Sequence, residues 1–136
     1  MAETIRRVDY FYVETPDRPG EAANVLARIK AEGVNLLAFS GFPSGRRSQL
    51  DFIPADSEAF KKAARRAGLK LSPRKTGFLV QGGDRIGAMA DLLGKLAAAK
   101  INVTAVDAVC AGEDRYGAIL WVKAPDVRRA AKALGV

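Results

Sequence analysis

The sequence predicts an α+β protein made of two copies of one β-α-β-β-α-β module, with antiparallel sheets and with the last strand of the second copy missing. Three observations support this prediction. A strand-to-helix turn occurs twice, apolar residues follow each turn at helical spacing, and short runs rich in β-branched and aromatic residues flank both helices.

The turn Asp17-Arg18-Pro19-Gly20 recurs 67 residues later as Asp84-Arg85-Ile86-Gly87, and residues 17–36 align with residues 84–103 without a gap. Proline followed by glycine fits a type II turn, in which glycine supplies the positive φ. The repeat divides the chain into a first module at residues 1–72 and a second at residues 73–136. The identical pairs are Asp17/Asp84, Arg18/Arg85, Gly20/Gly87, Ala23/Ala90, Leu26/Leu93, Ala31/Ala98 and Asn35/Asn102.

Each predicted element follows from local pattern. Alternating aromatic and β-branched residues predict the strands, apolar residues at helical spacing predict the helices, Gly33 is a candidate end for the first helix, and Asp56 or Ser57 can begin the second. The first module has strands at 7–14, 34–42, 48–53 and 69–72 and helices at 21–32 and 58–67. The second has strands at 75–81, 101–110 and 116–123, a helix at 87–99, and a last helix that begins near Pro125 and ends near Leu134. The missing fourth strand leaves a sheet edge that another segment or a partner should cover.

Composition argues against an enzyme. The 136 residues include no histidine and only Cys110 as cysteine, which excludes serine-histidine and cysteine-histidine catalysis, an intrachain disulfide and a cysteine-rich zinc site. The remaining acidic, lysine and tyrosine residues show no paired spacing that suggests a shared catalytic site. We therefore expect no catalytic residues, no cofactor and no metal.

The net charge of +7 makes nucleic acid a partner that must be considered. Basic residues concentrate between Lys61 and Lys75 and near Arg128, where they alternate with alanines as on the solvated face of an amphipathic helix. An RNA-recognition module has the same strand order but needs exposed aromatics in a defined motif, which 48–53 and 116–123 do not supply. The glycine-rich run from Gly82 also fails as a phosphate loop, since Ala88 stands where lysine is needed.

No apolar run is long enough to span a bilayer, and the N-terminal residues lack a signal-peptide pattern, so the expected location is the cytoplasm without a membrane partner. Modules of this size are near the lower limit for an independent core. Together with the open sheet edge, this predicts packing between the modules or a homodimer.

The Asp-Arg-Pro-Gly turn before the first helix and Gly-Val-Asn after it resemble the ACT domain, and the chain resembles a tandem ACT protein without a catalytic domain. The resemblance implies a regulatory protein, commonly a dimer, that binds an amino acid or similar metabolite near the strand-helix turn, at interfaces between modules. It assigns ligand contacts to Asp17, Arg18, Pro19, Gly20 and Asn35, and to the second set Asp84, Arg85, Ile86, Gly87 and Asn102.

Independent physical reasons support these assignments. Helix N-termini attract carboxylates, and an Asn amide offers both a donor and an acceptor. Structural alternatives remain open, because the glycines can serve only the turn, the aspartates can cap helices, and Trp121 or Tyr10 can belong to the core. The sequence thus favours an amino-acid sensor over an RNA-binding protein or a ligand-free protein-interaction module.

Overall fold

A computed structural model describes residues 3–136. Met1 and Ala2 lie outside the described residues; they belong to the predicted first module and to the N-terminal residues in which no signal-peptide pattern was found. The chain forms two compact units, one comprising Asp9–Lys75 and the other the residues up to Val8 together with Thr76–Val136. The first strand, β1 (Thr4–Pro16), contributes residues to both units.

The Asp9–Lys75 unit follows the predicted order of elements closely. Its strands β1, β3 and β2 are antiparallel neighbours in that order, so that Thr15 lies opposite Ser48, and Gly41 lies opposite Leu50. Asp56 begins the second helix by accepting a hydrogen bond from the Ala59 N–H at 3.1 Å, as the sequence predicts. After β1 the elements are α1 (Glu21–Ala31), β2 (Leu36–Ser44), β3 (Arg47–Pro54) and α2 (Ser57–Arg66).

The core of this unit lies between the helices and one face of the sheet. Phe60 of α2 packs between Phe11 and Phe52, and the centroid of its ring lies 5.5 Å from that of Phe11 and 5.2 Å from that of Phe52. Val25 and Ile29 of α1 complete the cluster and are almost fully buried. Their spacing of four residues places both side chains on one helix face, which fixes how α1 lies on the sheet.

The prediction of a fourth strand at residues 69–72 is wrong, because these residues do not form a regular strand. Ser72 still lies beside β1, because its N–H donates to the Tyr12 carbonyl and its Oγ accepts from the Tyr12 N–H, both at 2.9 Å. Pro73 follows directly and has no N–H to continue a ladder, which explains why the pairing stays local.

The second unit contains the order β1-β4-β6-β5, with its core under α3 and α4 around Phe78, Leu92, Leu96 and Leu120. Its elements are β4 (Lys75–Gly83), α3 (Ala88–Ala98), β5 (Ala105–Gly112), β6 (Arg115–Trp121), a short 3-10 turn (Ala124–Asp126) and α4 (Val127–Leu134). Helix α4 is the last of these elements.

The N-terminal part of β1 takes the place of the fourth strand that the predicted second module lacks. Thr4 Oγ1 donates to the Gln81 carbonyl at 3.4 Å, and Ile5 packs against the core of the second unit. The sequence places these residues in the first module, whereas the strand order puts β1 beside β4. The expectation that another segment covers this edge is therefore confirmed.

Candidate functional site

The first strand-helix turn has the conformation that its sequence predicts. Gly20 has φ 88° and ψ −12°, and the Glu21 N–H donates to the Arg18 carbonyl at 3.3 Å. These are the features of a type II turn with glycine at its third position. Gly20 is also the N-cap residue of α1, so no side chain of the cap residue covers the first turn of the helix.

The second turn repeats this geometry. Gly87 has φ 80° and ψ 11°, and the Ala88 N–H donates to the Arg85 carbonyl at 3.4 Å. Ile86 stands where the first copy has Pro19, and its side chain is fully exposed. Proline is therefore not needed for the turn, whereas the glycine conformation is kept in both copies.

The charged residues of the first turn pair locally. Asp17 Oδ1 accepts a hydrogen bond from Ser48 Oγ at 3.0 Å, which ties the turn to β3, while Gly20 occupies the cap position. Arg18 forms an ion pair with Glu21 at 2.8 Å on the exposed surface. Two carboxylates and one guanidinium thus surround the positive end of α1.

In the second turn the same residue types have other partners. The Asp84 N–H donates to the Asp114 carbonyl at 2.7 Å, and Arg85 pairs with Asp91 at 2.7 Å, a hydrogen bond that raises the Arg85 pKa. The Asp84 carboxylate, through a hydrogen bond and its charge, raises the pKa of the exposed Cys110 thiol. At neutral pH a raised pKa leaves less of a cysteine in the reactive thiolate form.

A cavity of about 290 Å³ opens beside the first turn, between the N-terminus of α1 and the ends of β1, β2 and β3. Its charged residues all belong to the turn and the start of α1, and its opposite wall is uncharged and mainly apolar. The lining residues are Thr15, Pro16, Asp17, Arg18, Glu21, Ala22, Phe39, Gly41, Phe42, Pro43, Ser48 and Leu50.

Thr15 is the most informative residue of this cavity. Its side chain is 5% exposed, and its Oγ1 is buried with no hydrogen-bond partner among the described residues. A buried hydroxyl without a partner costs roughly 1–3 kcal/mol, so such groups are rare unless something satisfies them. Thr15 therefore places a buried polar group without a partner on a residue that lines the cavity.

Gly41 leaves room for a ligand in this cavity. A Cβ at this position would lie 3.2 Å from Leu50 Cδ2 and 3.9 Å from Phe39 Cε2, both of which line the cavity. Any larger residue here would project into the space that these side chains surround. The pattern of the sequence did not single out Thr15 or Gly41, because each looks like an ordinary strand residue.

In the second copy, a ring lies over the residue that corresponds to Thr15. Thr15 and Ser48 lie opposite each other in β1 and β3, and Gly82 and Tyr116 lie opposite each other in β4 and β6. The Tyr116 ring covers Gly82 so closely that a Cβ there would lie 3.2 Å from Tyr116 Cε1. Burial and a hydrogen bond from the phenol to the Glu3 carboxylate raise the Tyr116 pKa to about 12.

The two asparagines lie away from the turns in their own units. Asn35 is exposed and lines a separate depression of about 350 Å³ with Lys30 and Gly33, beyond the C-terminal end of α1. The 11 residues of α1 span about 16 Å between this depression and the turn. Asn102 is likewise exposed and follows the C-terminal end of α3. Within one unit, the structure therefore brings the turn residues together but not the asparagines.

Other classes of site gain no support from the geometry. Residues 3–136 contain no group of three or more acidic or cysteine side chains that could hold a metal ion. Over the same residues, no helix is long and apolar enough to cross a membrane. Tyr10 and Trp121 are each 6% exposed and Phe52 is fully buried, as expected for core residues rather than base-stacking platforms.

No protein-family model and no curated protein matches this sequence. Among solved structures, the chain is similar to protein BT0572 from Bacteroides thetaiotaomicron, with a TM-score of 0.81 and 16% identity over 96% of this chain and 88% of that one. It is also similar to the ligand-free regulatory subunit of aspartate kinase from Thermus thermophilus, with a TM-score of 0.64 and 17% identity over 98% and 94% of the two chains. The corresponding subunit from Thermus flavus has a TM-score of 0.64 and 19% identity over the same shares. At these identities the likeness establishes a common architecture: the chain has the α+β fold of aspartate kinase regulatory subunits.

Proposed function

We propose that this protein is a non-catalytic, ACT-type regulatory protein of the cytoplasm that binds an amino acid or a related small metabolite at its first strand-helix turn. The fold shared with aspartate kinase regulatory subunits supports this proposal. The observation that carries it is the cavity beside Asp17–Gly20, which is lined by the charged residues of the turn and by the buried Thr15.

The charges around the cavity suit a zwitterion. Asp17 and Glu21 offer two carboxylates to an ammonium group, while Arg18 and the N-terminus of α1 attract a carboxylate. The helix end carries about half a positive charge, so these groups together carry about half a negative charge. A free amino acid has both groups on one carbon, which fits this short separation of opposite charges.

A homodimer would explain the positions of the asparagines. Asn35 cannot reach a ligand at the turn of its own unit, so in this proposal it contributes across an interface between modules. The edge strands provide surfaces for such an interface, since β2 contains no charged residue and Val109 of β5 is 68% exposed. Size-exclusion chromatography with light scattering tests this part, and a monomer at all concentrations would contradict it.

In this proposal the second turn, with Asp84, Arg85, Ile86, Gly87 and Asn102, is a duplicate of the first in backbone geometry. The RNA-binding alternative has less support, because Tyr10, Phe52 and Trp121 are buried and the basic residues of α2 lie on a helix rather than on the sheet.

Ligand binding is tested by a thermal-shift screen against the twenty amino acids and a set of keto acids, followed by isothermal titration. A ligand at about 100 times its dissociation constant adds about 2.7 kcal/mol to the free energy of unfolding, enough to raise the midpoint by several degrees. The substitution Asp17→Asn should reduce the effect, and Asp114→Asn in the exposed turn between β5 and β6 is the control. A flat screen would instead favour a protein-interaction module without a ligand.

A further inference from the structure

We infer that the ligand of the first turn is an amino acid with an uncharged, apolar side chain. This inference rests on the function proposed above and adds the class of ligand to it. It is drawn from the wall of the cavity that faces away from the turn.

That wall is uncharged, and apart from Ser48 its side chains are apolar. Phe39 and Leu50 line it, and the Phe39 ring is held against Phe52 with centroids 5.3 Å apart. Strand β2 has no charged residue from Leu36 to Ser44, so it offers no partner to an ionised side chain. Burying an unpaired charge against such a wall is costly, whereas burying methyl or ring carbons is favourable.

The charged part of the cavity is confined to the turn. Arg18 is already paired with Glu21 at 2.8 Å, and Asp17 accepts a hydrogen bond from Ser48. These groups can bind the amino and carboxyl groups that all amino acids share, so they do not discriminate among side chains. Discrimination therefore falls to the apolar wall and to the space that Gly41 leaves open.

The size of the cavity agrees with this class of ligand. A volume of about 290 Å³ is at the lower end of small-molecule sites, which range over roughly 300–1,000 Å³. A single amino acid suits this space, whereas a peptide or a nucleotide does not.

Isothermal titration of the full chain with glycine, valine, leucine, phenylalanine, lysine and glutamate tests the inference. The dissociation constant should fall about fourfold for each added methylene among the apolar ligands. Lysine and glutamate should bind at least about tenfold more weakly than leucine, since their charged ends meet no partner.

Two variants locate the site. Phe39→Ala removes part of the wall and should weaken leucine or phenylalanine binding about tenfold, while Val106→Ala is the matched control. Phe39 and Val106 are 38% and 37% exposed and occupy corresponding positions on the edge strands β2 and β5. Gly41→Ala places a methyl group in the cavity and should weaken the larger ligands more than glycine.

The outcomes separate the two levels of the proposal. If a charged amino acid binds most tightly, and if Thr15→Val abolishes that binding, the inferred ligand class is overturned but the proposed function is not. Binding that none of the three cavity variants changes would place the site elsewhere and overturn the inference. No heat with any amino acid would overturn both the inference and the proposed function.

Discussion

Replacing Thr15 by valine should make the free protein more stable and should weaken its response to the ligand. The two side chains have nearly the same shape, but valine places a methyl group where Thr15 has a buried hydroxyl without a partner. Removing an unsatisfied buried hydroxyl recovers part of a cost of roughly 1–3 kcal/mol. We expect Thr15→Val to add about 1 kcal/mol to the free energy of unfolding, or roughly 3–5 °C in the thermal midpoint for a chain of this size.

The assay is thermal unfolding of wild type and variant, each with and without the ligand found by screening. Thr104→Val is the control, because Thr104 is exposed in the second unit, where the same change should alter stability by less than about 0.5 kcal/mol. The expected pattern is a higher midpoint for Thr15→Val without ligand and a smaller shift on adding it. A variant that is less stable than wild type and keeps the full ligand shift would refute the assignment of this hydroxyl to the site.

Three further predictions follow from the differences between the two copies. Titration calorimetry should give one ligand per chain, since the Tyr116 ring lies over Gly82, the residue that corresponds to Thr15, and a stoichiometry of two would contradict this. Ile86→Pro should raise the free energy of unfolding by about 0.4–1 kcal/mol, because proline restricts the unfolded chain and the equivalent first turn already contains Pro19. A loss of stability would show that the second turn does not tolerate proline. Burial and the Glu3 carboxylate raise the Tyr116 pKa from 10.0 to about 12, which means that the folded protein favours the neutral phenol. The stability that results is complete below pH 10 and is lost as the pH rises toward 12. Urea unfolding between pH 9 and pH 11.5 should therefore show a smaller alkaline loss in Tyr116→Phe than in wild type, and equal losses would be the contrary result.

The duplicated turn and the elements around it could be predicted because they depend on local chemistry. Gly20 and Gly87 mark positive φ, and Asp56 caps a helix through contacts within three residues. The predicted strand at 101–110 begins four residues too early, at Ile101 instead of Ala105, because Ile101 still bonds to the end of α3. Apolar pattern alone cannot separate a helix exit from a strand start.

The cavity depended on information that the sequence pattern does not carry. Thr15 has a β-branched side chain that suits any strand. It lines the cavity because the strand register places it opposite Ser48 and brings Gly41 nearby. Asn35 shows the opposite case. Its recurrence at the offset of the repeat suggested a shared site, but an 11-residue helix separates it from the turn.

The shared first strand also has a consequence for the order in which the chain folds. The Asp9–Lys75 unit is continuous in sequence, whereas the second unit must join residues up to Val8 with a segment that begins at Thr76. Closing a loop of that length costs about 4 kcal/mol of chain entropy when it happens alone. Folding of the first unit brings the Arg74 guanidinium within 3.8 Å of Asp9, so the two ends of the loop are already close when the second unit begins to form. We therefore expect that mutations that slow the folding of the first unit will slow the folding of the second unit as well.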